Sequence, residues 1–214
     1  MDQTLRITEI FYSLQGEANT VGLPTVFIRL TGCPLRCSYC DTAYAFSGGE
    51  KLSIDDILRQ VGRYHTRYVT VTGGEPLAQP ACNPLMVGLL DAGYHVSLET
   101  SGALDVSAVD SRVSKVMDLK TPSSGEMARN RYENIQYLSQ QDQVKFVIAD
   151  AADYDWAKQQ LEQYQLTERC EVLFSPVMDV MTPAELAERI LADQLQVRFQ
   201  IQLHKFLWND ARGK

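Results

Sequence analysis

Gly32-Cys33-Pro34-Leu35-Arg36-Cys37-Ser38-Tyr39-Cys40-Asp41-Thr42 holds three of the chain's five cysteines, spaced C-x3-C-x2-C. Thiols grouped on one short stretch select a soft metal or an iron-sulfur cluster. A structural zinc takes four ligands, usually as two pairs, and no second C-x-x-C follows here. A closed zinc site therefore fits poorly. The alternatives are a zinc completed by a distant Cys82, Cys170 or histidine, or cysteines that only pack. Immediately upstream, Thr25-Val26-Phe27-Ile28-Arg29-Leu30 reads as a buried strand, so the cysteine loop is delivered at a strand's carboxyl end.

Outward from that loop the chain alternates strand and helix patterns. Residues 5–11 alternate as a strand and run into the polar turn Ser13-Leu14-Gln15-Gly16-Glu17. Ser53 caps a helix whose Ile54, Ile57, Leu58 and Val61 share one face. Residues 68–72 form the next strand, and a helix over 84–92, stopped by Gly93, leads to a strand at 94–99. Strands at 113–119 and 143–148 flank a helical pattern over 129–140. A helix over 151–163 places Tyr154, Ala157, Leu161 and Tyr164 at core spacing, and a short strand at 170–174 follows. Thr182-Pro183-Ala184-Glu185 is a capping box that starts a helix with Leu186, Ile190 and Leu191 on one face. A last strand spans 197–203. Strands alternating with helices imply parallel pairing. About six such units are too few for a closed eight-stranded barrel, so the expected fold is α/β, an open partial βα barrel. No repeat or linker divides it, which gives one domain over residues 1–214 with its cysteine loop at 32–42. Residues 43–51 read as a mobile insertion.

The 214-residue chain is 45% hydrophobic and 22% charged, ordinary for a folded soluble protein. A formal net charge of -7 without basic runs argues against nucleic-acid binding. No signal peptide and no run of about eighteen apolar residues is present, so a membrane role is not expected and the reading is cytoplasmic. The clustered, odd-numbered cysteines agree with a reducing compartment.

Further chemistry falls at strand ends, where parallel α/β folds bind ligands. Thr72-Gly73-Gly74-Glu75-Pro76 lets backbone approach a ligand, although Gly-Gly-Pro is also ordinary turn punctuation. Glu99-Thr100-Ser101-Gly102, Asp118-Leu119-Lys120-Thr121-Pro122-Ser123 and Phe174-Ser175-Pro176-Val177 occupy later strand ends. Gln15, Glu17, Arg29 and His204 are further polar candidates, an amide, an acid, a cation and an imidazole. For Arg29 the alternative is a strand-edge ion pair, and for Asp41-Thr42 an ordinary turn or helix cap. Lys145 and Lys205 are further candidates, while His65 and His95 look like bystanders.

The cysteine spacing and the Gly-Gly-Glu-Pro element together resemble the radical S-adenosylmethionine (SAM) superfamily. Within it, Ser13-Leu14-Gln15-Gly16-Glu17, Phe27 to Cys33, Cys40-Asp41-Thr42, Glu99-Thr100-Ser101-Gly102 and Gln202-Leu203-His204-Lys205 resemble the 7-carboxy-7-deazaguanine synthase family over nearly the whole chain. The resemblance implies a shortened radical SAM barrel with Cys33, Cys37 and Cys40 on a 4Fe-4S cluster and SAM on the open iron. It implies SAM contacts from Tyr39, Gly74, Glu75, Ser101, Lys120 and Ser175. Thr42 is implied as a Mg2+ ligand, and Leu14, Gln15, Gly16, Glu17, Arg29, Thr72 and His204 as substrate contacts. The implied reaction is ring contraction of 6-carboxy-5,6,7,8-tetrahydropterin to 7-carboxy-7-deazaguanine with loss of ammonia, on the way to queuosine and other 7-deazapurines. A SAM-derived radical would abstract hydrogen from C6, with no catalytic side chain beyond that radical. A flavodoxin or ferredoxin as electron donor and a homodimer are implied as partners. Two competing readings are a radical SAM activase acting on a glycyl-radical partner and a non-enzymatic iron-sulfur or zinc module. The chain also departs from the family in lacking a carboxyl-terminal proline.

Overall fold

The computed structural model describes residues 3–209 and 211–214. Its strands are β1 (Thr4–Leu14), β2 (Pro24–Leu30), β3 (Glu50–Ser53), β4 (Tyr68–Gly73), β5 (His95–Thr100), β6 (Ser114–Asp118), β7 (Gln143–Ile148), β8 (Glu171–Pro176) and β9 (Arg198–Phe199). They form one open sheet in the order β3-β1-β2-β4-β5-β6-β7-β8-β9. From β2 to β9 every neighbouring pair is parallel, whereas β1 runs antiparallel to both β2 and β3. The partial βα barrel is present, with an antiparallel edge that strand and helix alternation did not announce.

The helices are α1 (Ile54–Val61), α2 (Cys82–Asp91), α3 (Ala151–Tyr164), α4 (Leu166–Arg169), α5 (Pro183–Ala192) and α6 (Leu203–Trp208). Local chemistry sets their starts: Ser53, Asp150 and Thr182 each accept a backbone N–H three residues on. The buried Ile57, Val61, Leu85 and Leu89 of α1 and α2 join Val26, Ile28, Val69 and Leu98 in one apolar cluster. Tyr154, Ala157, Leu161, Leu186 and Ile190 join Phe146, Val172 and Phe174 in a second. The two clusters anchor the two halves of the sheet and leave its carboxyl edge for chemistry.

Several expectations require correction. Residues 129–140 form no α-helix but short 3-10 turns at Met127–Arg129 and Tyr132–Tyr137. The buried Asn134 side chain donates to the carbonyls of Gly102 and Leu104 and accepts from Val106 N, so side-chain bonds to backbone replace the helical ladder. The expected strand at 197–203 shrinks to Arg198–Phe199, because Leu203 N donates to Gly16 O at 3.0 Å and the chain turns into α6. Leu191 is 75% exposed and leaves the core face of α5 to Leu186 and Ile190. Residues 43–51 are built into the fold: Ala43–Phe46 is a 3-10 turn with Ala45 fully buried, and Glu50 and Lys51 begin edge strand β3.

Candidate active site

One cavity at the carboxyl edge of the sheet gathers most of the residues singled out by sequence. Cys33, Cys37, Cys40, Tyr39, Thr42, Gly74, Ser101, Lys120, Leu14, Gln15, Gly16, Glu17, Arg29, Thr72 and His204 all line it. They come from β2, β4, β5, the turns after these strands and after β6, whose parallel ends lie on one side, from the end of antiparallel β1 and its turn, which bring Leu14 to Glu17 in from the opposite end of the sheet, and from α6.

Glu75 and Ser175 are not among the residues that line the cavity. Glu75 is completely buried, and its carboxylate accepts Thr100 Oγ1, Ser101 N, Ser101 Oγ and Leu77 N. A carboxylate so fully used has no lone pair left for a ligand, and it ties the Gly73-Gly74 turn to the Thr100-Ser101 turn. Ser175 is 1% exposed within β8, and Val177 and Met178 line the wall beyond it.

The floor is polar and charged. Lys145 on β7 reaches Glu17 at 2.6 Å and Asp118 at 3.9 Å, and Lys120 reaches the same Asp118 oxygen at 2.7 Å. Burial alone would push Glu17 up, but the adjacent Lys145 ammonium and its hydrogen bond hold its carboxyl below the ordinary value. Burial alone would depress Lys145, yet Glu17, Asp118 and Glu99 hold it firmly protonated. Glu99 moves the other way: burial first, and then the negative charge of Glu17, raise its pKa. Gln15 Nε2 donates to Thr70 Oγ1 at 3.0 Å and faces Glu99 at 3.4 Å, while Thr72 donates to Glu99 at 3.2 Å. A buried floor offering two carboxyl groups with opposite pKa shifts, an amide and two ammonium groups matches a flat polar ring with several donors and acceptors.

The segment before and into α6 closes one side. Gln202 donates to Glu17 at 2.8 Å, and Lys205 pairs with Asp41 at 3.2 Å. Gly16 is required beneath it, since a Cβ there would lie 2.3 Å from His204 Nδ1. Burial lowers the His204 pKa despite the nearby Glu17 and Asp41. Asp41, Glu99, Asp118, Gln202 and Lys205 are cavity residues that no single motif assigned a role. Glu99 lies inside the Glu-Thr-Ser-Gly motif, whereas Asp118 was marked only by its place at a strand end.

At the mouth, Cys33 and Cys37 are half-buried, Cys40 is exposed, and all three thiols are free. Among the described residues no three His, Cys, Asp or Glu side chains converge closely enough to share one metal ion. A zinc completed by Cys82 or Cys170 has no such set, and both of those thiols are buried and pushed up to about 12 by desolvation. Burial raises the Cys37 pKa and the Lys120 ammonium opposes it, and three free thiols lining one cavity suit a cluster that spreads its ligands over several irons. Thr42 Oγ1 donates to Asp41 Oδ1 at 2.8 Å, placing two hard oxygen donors together at the rim. His95 stacks on Tyr68 and lies outside the cavity, as does His65. No helix among the described residues is long and apolar enough to cross a membrane.

Comparison with known proteins agrees with this geometry. The Radical SAM superfamily model matches residues 27–121. A 7-carboxy-7-deazaguanine synthase from Chlorobaculum tepidum is 45% identical over 213 residues, covering 98% of this chain and 97% of its own. One of the same name from Koribacter versatilis is 42% identical, covering 95% and 97%. The crystal structure of QueE from Escherichia coli superposes with a TM-score of 0.73 over 94% of this chain and 95% of that one, at 24% identity, and shows the same fold. The chain belongs to the 7-carboxy-7-deazaguanine synthase family of radical SAM enzymes.

Proposed function

We propose that this enzyme contracts the ring of 6-carboxy-5,6,7,8-tetrahydropterin to 7-carboxy-7-deazaguanine, releasing ammonia, for 7-deazapurine biosynthesis. One observation carries the reading: the three thiols and the Gln15, Glu17, Glu99, Arg29 and Lys145 floor share a single cavity. Cys33, Cys37 and Cys40 would hold the 4Fe-4S cluster, with Tyr39, Gly74, Ser101 and Lys120 beside the SAM. When bound, that pair supplies the hydrogen abstraction that starts the rearrangement.

The chain's own residues bind, orient and exclude water. Glu17, kept ionised by Lys145, accepts the N–H donors of the pterin's pyrimidine edge, and Gln15 donates and accepts beside it. Arg29 presents its guanidinium to the carboxylate. His204, favoured as the neutral imidazole, offers one donor and one acceptor and with Gln202 shields the floor from solvent. Thr42 would hold Mg2+ together with substrate and water oxygens, as expected for an ion that keeps much of its shell. An electron-donating flavodoxin or ferredoxin, a homodimer and a cytoplasmic setting complete the proposal.

The test is anaerobic reconstitution followed by incubation with the pterin, SAM, Mg2+ and reductant. The expected result is the deazaguanine product from the wild type, and neither cluster absorbance nor product from Cys37→Ala. An active Cys37→Ala, or SAM cleavage in the wild type with the pterin left unchanged, would refute the assignment.

A further inference from the structure

Arg29 is held by a structure around it that none of the sequence motifs includes. An irregularity between Ile7 and Glu9 shifts the β1–β2 register by one residue, so that Glu9 stands opposite Arg29 and Phe11 opposite Phe27. Bulges of this kind re-aim side chains next to functional sites. Arg29 Nε donates to Glu9 Oε1 at 2.7 Å, and the same oxygen accepts the Tyr44 hydroxyl at 2.7 Å. The guanidinium carbon lies 5.7 Å from the centre of the Phe11 ring and 5.8 Å from that of Tyr44. Phe11 is fixed in turn by stacking on Phe27 at 4.9 Å. Tyr44 belongs to the 3-10 turn that follows Thr42, and Arg212 covers its ring at 4.2 Å.

The clamp uses one edge of the guanidinium and leaves the other. With Nε engaged by Glu9, the two terminal nitrogens make no hydrogen bond to any described residue, and Arg29 lines the cavity. A planar fork pinned at its Nε and between two rings is pre-organised for a carboxylate, which reduces the ordering cost at binding.

We propose that Glu9 and Tyr44 are positioning residues that fix Arg29 as the reader of the substrate carboxylate, and that Arg212 braces the clamp by covering Tyr44. The inference rests on the pterin assignment above. It identifies a selectivity determinant formed by a strand bulge and the turn after the cysteine loop.

The experiment compares wild type, Glu9→Gln and Tyr44→Phe, reconstituted anaerobically, with the carboxylated pterin and with its analogue lacking the carboxylate. KM and kcat are measured for the first, and equilibrium binding by fluorescence for both. Removing the charge that holds Arg29 should raise KM for the carboxylated pterin about tenfold, the scale of one charge-assisted hydrogen bond. The kcat should stay within about twofold, because the lost interaction serves binding in ground state and transition state alike. Affinity for the analogue should be unchanged, so that selectivity for the carboxylate falls by the same factor. Tyr44→Phe, which keeps the ring, should show a smaller loss of the same kind, guarding against a folding defect in Glu9→Gln. Unchanged KM in both variants, or equal weakening toward both pterins, overturns the clamp while leaving the pterin assignment standing. Failure of the wild type to bind the carboxylated pterin would overturn that assignment and the clamp with it.

Discussion

Gly74→Ala tests whether backbone proximity, rather than side-chain chemistry, holds the cysteine loop to the sheet. A Cβ on Gly74 would lie 2.1 Å from Gly32 O, 2.6 Å from Gly32 C and 3.2 Å from Cys33 Cβ. Both of the shorter contacts are with backbone, so no side-chain rotation relieves them. Restoring ordinary contact at 3.4 Å requires the Gly32 carbonyl to retreat by about 1.3 Å. The retreat strains or breaks the bonds from Glu75 N to Gly32 O at 2.7 Å and from Gly74 N to Leu30 O at 3.2 Å. Two net hydrogen bonds at about 1 kcal/mol each, plus overpacking strain of about 1–2, give a loss of about 3–4 kcal/mol. That corresponds to a fall in melting temperature on the order of 10 °C for a chain of this size. The displaced carbonyl belongs to the residue before Cys33, so cluster loading should fall with stability. The assay is iron and sulfide content after anaerobic reconstitution, with thermal melting of the unreconstituted protein alongside. Full cluster content with a melting temperature within about 2 °C of wild type would refute the reasoning.

Gly88→Ala is the converse case: in the interior of α2 its Cβ would meet Leu58 Cδ1 at 3.6 Å and Ile54 Cγ2 at 3.8 Å, ordinary contacts with the facing α1. It should stabilise the protein by about 0.5–1 kcal/mol in urea denaturation, with cluster content unchanged. Lys145→Gln leaves the buried Glu17 without its cation, while Asp118 keeps Lys120, and should cost about 3–5 kcal/mol at neutral pH. The orphaned carboxylate relaxes by taking up a proton, so the deficit against wild type should shrink at pH 5, and a deficit independent of pH would count against it. For His204, burial lowers the native pKa below the ordinary 6.5, so the native state binds the proton less readily than the unfolded chain. The stability it contributes is present above pH 6.5 and declines as pH falls through that value. Hydrogen exchange at the Leu203 amide, which donates to Gly16 O, should show more frequent opening below that pH once intrinsic rates are corrected, and the trend should vanish in His204→Gln.

Sequence alone determined the parts whose meaning is local. C-x3-C-x2-C states a ligand set by spacing, Ser53 and Thr182 state helix starts by reach, and 25–30 states a buried strand by its apolar run. These need only the chain's own geometry over a few residues; the helix starts and the strand appear in the structure, and the three thiols line one cavity. The three cysteines, Thr72, Gly74, Ser101 and Lys120 share one cavity because parallel strands end together, a consequence of the βα rhythm, whereas Leu14 to Glu17 and His204 join them through antiparallel β1 and α6. Tertiary structure decided the rest. The partners of the Glu75 carboxylate, Thr100 and Ser101 on the turn after β5, were decided by the fold. Residues 129–140 had helical periodicity but lost to the long-range bonds of Asn134, and 197–203 lost its strand to the hydrogen bond that draws Leu203 to Gly16. Glu9 and Tyr44 gave no signal because a one-residue register shift, fixed by pairing between two strands, decides which face Glu9 presents and which arginine it meets. Spacing is written in the chain, whereas the partner of a buried charge exists only once distant segments have packed.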